Sequence, residues 1–88
     1  MEYDKIFAQI QANNQIIQLT DNENIIFNKL YEQRKVLKSD LLNCVSAKRF
    51  KLFSENSIRV TIARINRKIK GIGEIHSIHK IGYELIIF

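Results

Sequence analysis

The stretch from Ser54 to Lys70 constrains this chain more than any other. Ile58, Ile62, Ile65 and Ile69 stand at spacings of four, three and four. At about 3.6 residues per turn, that places them in one narrow apolar stripe of a helix, which must face a core. The opposite side carries Arg59, Val60, Ala63, Arg64, Arg67 and Lys70, basic or small throughout and without an acid. Ser54 is placed to cap the helix, with Glu55 in its first turn and Arg67, Lys68 and Lys70 in its last, the order the helix dipole favours. A basic helix face is often no more than a solvated one. Here a small apolar pair, Val60 and Ala63, is set among arginines. Such a surface suits a DNA major groove, where arginines reach phosphates and guanine edges and small aliphatic groups meet thymine methyls.

The distribution of charge points the same way. The 88 residues carry a formal +5, but Lys48 to Lys70 hold eight basic residues against Glu55 alone, a local +7 that leaves −2 for the rest. Charge concentrated on about a quarter of a chain implies a polyanionic partner. A chain of this length makes one small domain, residues 1–88, with a modest core and no room for an active-site cleft of ordinary size. No nucleophile–base pair or carboxylate dyad stands at a recognisable spacing, so no catalytic residue is expected and a binding module is favoured over an enzyme. Cys44 is the only cysteine. It cannot form an internal disulfide, suits a reducing compartment, and lies among apolar neighbours as a core residue would. His76 and His79, three apart in a strand, point to opposite faces and make a poor zinc pair, so neither metal nor cofactor is expected. Met1 is followed by Glu2 and Asp4, and nowhere is there a run near the roughly 20 apolar residues of a membrane span. A cytoplasmic protein without a membrane partner is the expectation.

Taken in order, Lys5 to Thr20 alternates roughly on both sides of Asn13-Asn14, two residues that tolerate positive φ, and this predicts a β-hairpin. A helix over Asp4 to Ala12 is the alternative. Thr20-Asp21-Asn22-Glu23 fits a capping box and opens a helix with Ile26, Phe27 and Leu30 on one face, running to about Glu32. Gln33-Arg34-Lys35 is a polar break and Val36-Leu37 a short apolar touch. Ser39 can cap a second helix over Asp40 to Val45, with Leu41, Leu42 and Val45 inward. Ser46 to Phe53 reads as a surface loop mixing Lys48, Arg49 and Lys51 with Phe50 and Phe53. Gly71-Ile72-Gly73 ends the basic helix, and two short strands follow from Ile75, joined around His79 to Gly82. The sum is an α+β winged helix-turn-helix: a short N-terminal β-hairpin, a three-helix core and a C-terminal wing hairpin.

At this point the residues resemble the OmpR/PhoB-type winged-helix effector domain of bacterial two-component response regulators, over roughly Leu19 to Leu85. Leu19-Thr20-Asp21-Asn22-Glu23 is similar to that family's Leu-Thr-x-x-Glu at the start of its first helix. Ser57 to Ile69 is similar to its recognition helix. Ile75-His76-Ser77-Ile78-His79-Lys80-Ile81-Gly82-Tyr83-Glu84-Leu85 is similar to its wing. The resemblance implies a bacterial transcription regulator that binds duplex DNA sequence-specifically, with the helix over 55–70 in the major groove and the wing over 75–85 on the backbone or minor groove. Val60, Ala63 and Arg64 fall where the family touches bases or nearby phosphates, Thr61 and Lys68 where it touches backbone, and Ser77, His79 and Tyr83 on wing positions near phosphate or sugar. With the basic residues of the same surfaces, the expected DNA-binding set is Arg59, Val60, Thr61, Ala63, Arg64, Arg67, Lys68, Ser77, His79 and Lys80. RNA polymerase and a second copy of the chain on DNA are the further partners it suggests. Asn66 stands where the family usually has arginine, Arg59 where it has aspartate, and His79-Lys80 where it has Arg-Gly, so base preference does not carry over. No receiver domain is present, which leaves an excised effector domain or a stand-alone regulator. The competing classes are a winged-helix protein-interaction module, docking through Val60, Ala63 and Phe50, and a non-specific nucleoid-binding protein.

Overall fold

The computed structural model describes residues 1–49 and 54–88. Its elements run β1 (Glu2–Asp4), β2 (Gln9–Ala12), β3 (Gln15–Gln18), α1 (Asp21–Gln33), β4 (Lys35–Leu37), α2 (Lys38–Arg49), α3 (Glu55–Lys68), β5 (Gly73–Ile78) and β6 (Gly82–Ile87). The strands form two antiparallel three-stranded sheets, ordered β1-β2-β3 and β4-β6-β5. The chain is a small α+β domain.

The hairpin around Asn13-Asn14 is present, and the helix considered for residues 4–12 is not. Both asparagines take positive φ, 52° and 61°, between paired Ala12 and Gln15, as a two-residue turn of type I′ requires. The sequence did not announce β1, which pairs Tyr3 with Ile10, in turn paired with Ile17. The Asp4 carboxylate closes the connection by accepting from the backbone N–H groups of Ile6 and Phe7 at 2.9 and 3.1 Å.

Helix α1 opens with the expected capping box. The Thr20 hydroxyl accepts from the Glu23 N–H, and the Glu23 carboxylate accepts from the Thr20 N–H. The helix ends at Arg34, which adopts φ 69° without being glycine and donates its N–H to the Leu30 carbonyl. The apolar touch at Val36 is a strand: Val36 is buried while Lys35 and Leu37 face outward, and β4 pairs with β6. The C-terminal hairpin is therefore two strands of a three-stranded sheet. Gly82 makes this possible, since a Cβ there would lie 2.5 Å from the Val36 carbonyl oxygen. Helix α2 begins at Lys38, ahead of the predicted cap at Ser39, and continues through residues 46–49, where a loop was expected. The rest of that expected loop, with Phe50 and Phe53, lies outside the described residues.

Helix α3 is capped by the Ser54 hydroxyl, which accepts from the Ser57 N–H. It ends two residues short of Lys70, and Gly71 at φ 86° turns the chain away. Its stripe is buried as the spacing predicts, with Ile58, Ile65 and Ile69 at 0 to 1% exposure and Ile62 at 5%. Against it pack Ile26, Phe27 and Leu30 of α1, Leu41 and Val45 of α2, and Ile75, Tyr83 and Leu85 of the C-terminal sheet, in one core cluster. No helix among the described residues is long and apolar enough to cross a membrane.

Candidate nucleic-acid interface

Burying an aliphatic side chain contributes about 1.5–3 kcal/mol, so four buried isoleucines fix the rotation of α3 about its axis. Once that rotation is fixed, so is the outward face. Arg59, Val60, Ala63, Arg64 and Arg67 are all exposed on it. Among the described residues, no ion pair engages any of these arginines. The acids nearby are held by other partners: Glu55 by Lys38 at 3.7 Å, Glu84 by Lys35 at 3.9 Å, Glu74 by His76 at 3.1 Å, and Glu23 by Lys68 at 2.6 Å. The lysines and a histidine answer the carboxylates, and the arginines are left facing solvent.

Two members of the expected set are placed differently. Thr61 is 6% exposed, and its hydroxyl donates to the Ser57 carbonyl at 2.8 Å. It lies beside the isoleucine stripe, and a helical threonine next to a core satisfies its hydroxyl on the preceding turn. Lys68 is a tertiary tie: its ammonium donates to the Glu23 carboxylate and, at 2.9 Å, to the Gln18 carbonyl. The Glu23 side chain is almost fully buried. Burial alone would push this carboxyl up, but the hydrogen bonds from Lys68 and Thr20 and the Lys68 charge outweigh it and hold Glu23 below its ordinary range. The pair bolts the C-terminal end of α3 to the first turn of α1. Arg64, Arg67, Lys68, Thr20 and Glu23 line a shallow cleft of about 400 Å³ at this junction.

The hairpin residues Ser77, His79 and Lys80 are exposed. His79 and Lys80 take φ 46° and 62°, the left-handed pair of a tight turn closed by the Ile81 N–H on the Ile78 carbonyl. Lys38 links this turn to the helices: its N–H donates to the Ile81 carbonyl, and its side chain pairs with Glu55 in the first turn of α3. The start of α2, the start of α3 and the hairpin turn are thus joined. Tyr83 is buried at 8% and belongs to the core.

One tie between α3 and the C-terminal sheet escaped the sequence. Asn66 is half-buried on α3, and its amide bonds the backbone of β5, accepting from the Ile75 N–H at 2.8 Å and donating to the Ile75 carbonyl at 3.1 Å. Only its departure from the usual arginine singled it out. No model of a known protein family matches the chain, and no curated protein does either.

Proposed function

We propose that this chain is a winged helix-turn-helix of the OmpR/PhoB type that binds duplex DNA sequence-specifically as a transcription regulator, a binding module and not an enzyme. The observation that carries this is the outward face of α3, where Arg59, Arg64 and Arg67 flank exposed Val60 and Ala63 with no carboxylate opposing them among the described residues. In this reading α3 lies in the major groove, its arginines on phosphates and guanine edges and Val60 and Ala63 against thymine methyls. The β5–β6 turn is the wing, with Ser77, His79 and Lys80 toward the backbone or minor groove. Thr61 and Lys68 serve this surface indirectly, by seating and anchoring the helix.

Selection from a random duplex library tests the reading, followed by titration of enriched and scrambled duplexes. Enrichment of a consensus supports a regulator, and replacing Arg64 by alanine is then expected to weaken specific binding by about 1–3 kcal/mol. Unchanged affinity in that variant refutes the role of Arg64. Binding without enrichment, falling steeply with salt, identifies a non-specific nucleic-acid binder. The exposed Val60 favours a protein-interaction module as the competing class, which an absence of DNA binding even at low salt would support.

A further inference from the structure

We propose that Asn66 is a positioning residue that joins α3 to the β5–β6 hairpin as one body, so that helix and hairpin meet DNA at a fixed spacing. This rests on the DNA-binding reading above. Strand β5 is the edge of its sheet, with β6 on one side only. On its other side Asn66 presents both atoms of one amide to both backbone groups of one residue, Ile75, as a neighbouring strand would. The start of β5 is tied to the same helix by the Gly73 N–H on the Ile69 carbonyl. Among the described residues, Asn66 makes the last hydrogen bonds between α3 and β5 before the strand runs on to Ser77 and the His79-Lys80 turn.

The chemistry singles out asparagine. Aspartate at this position would keep the acceptor for the Ile75 N–H and turn a carboxylate toward the Ile75 carbonyl, and alanine would leave both backbone groups unanswered. Asparagine is also a common reader of adenine, through the same two amide atoms. Here both are engaged by β5. Asn66 therefore shapes recognition by placing the hairpin and contacts no base itself, although it sits directly beside exposed Arg67.

A double-mutant cycle on an enriched duplex tests this, with Lys80→Ala and Arg64→Ala measured in the native chain and in Asn66→Ala. The expected result is selective. Lys80→Ala weakens binding several-fold in the native chain and far less once Asn66 is gone, while Arg64→Ala weakens both backgrounds equally. A general loss of stability would not discriminate between the hairpin and the helix. Asn66→Asp, which keeps one of the two bonds, is expected to fall between, and it carries the same comparison if the alanine variant does not fold. Amide exchange at Ile75 is expected to be slow in the native chain and in Asn66→Asp, which keeps the acceptor for that N–H, and faster in Asn66→Ala. Equal costs of Lys80→Ala in all backgrounds, or no cost in any, would overturn the positioning role while leaving DNA binding intact. Failure of the native chain to bind any duplex would remove the DNA-binding reading and this proposal with it.

Discussion

Glu23 performs two tasks with one carboxylate. It completes the cap of α1 and receives Lys68 from the far end of α3, 45 positions away in the chain. Its partner retains a route to solvent, with the Lys68 side chain 34% exposed. Removing the charge therefore leaves no sealed cation behind, and Glu23→Gln is expected to cost about 1–3 kcal/mol at neutral pH, less than a fully buried pair would. Because the folded chain holds Glu23 below its ordinary value of 4.5, its contribution is complete above that value and is lost as the pH falls through the folded one. Denaturant unfolding at pH 7 and at about pH 3.5 checks both effects: the native chain is expected to lose more stability on acidification than Glu23→Gln. Equal losses would show that the pair contributes nothing. The sequence disclosed the Thr20–Glu23 box, because its spacing is local. The Glu23–Lys68 pair and the Asn66–Ile75 clamp join positions that only tertiary packing brings together, and no periodicity encodes them.

Elements long enough to show a period were legible. Four isoleucines over more than three turns specified α3, its buried side and its outward side, and Asn13-Asn14 specified the N-terminal turn. The strands β1 and β4 were not legible, since three residues are too few to display alternation and their pairing comes from β2 and β6. The two faces of α3 are expected to respond oppositely. Ile65→Ala should cost about 2–5 kcal/mol of stability through the cavity it leaves. Val60→Ala should stay within about 0.5 kcal/mol of native stability, as surface changes do, and any effect should fall on binding to the enriched duplex. Thermal melts paired with titrations separate the two, and a large stability cost at Val60 would contradict the orientation of the helix. At the turn, Asn14→Gly should raise stability by up to about 1 kcal/mol, because glycine adopts positive φ freely. Asn14→Ala should lower it by about 1 kcal/mol, through the strain of a left-handed Cβ. In a domain this small, either change is read as a melting shift of about 4–8 °C.

Across the molecule, polarity is arranged in one sense. The described acids flanking α3 and the C-terminal sheet are answered by lysines and a histidine, and Arg59, Arg64 and Arg67, which no described acid pairs, stand together on one helix face. The hairpin turn with Lys80 is linked through Lys38 to the start of that helix. The three arginines of that face are therefore gathered rather than scattered, as the proposed polyanionic partner requires. The most direct test is the salt dependence of binding to mixed-sequence duplex DNA, for the native chain and for the triple variant Arg59→Ala, Arg64→Ala, Arg67→Ala. If those arginines and Lys80 each neutralise one phosphate, log K should fall with log salt at a slope of about −3.6 in the native chain and about −0.9 in the variant. A flat dependence in the native chain, or a steep slope that survives the loss of all three arginines, would contradict the assignment of α3 as the nucleic-acid surface.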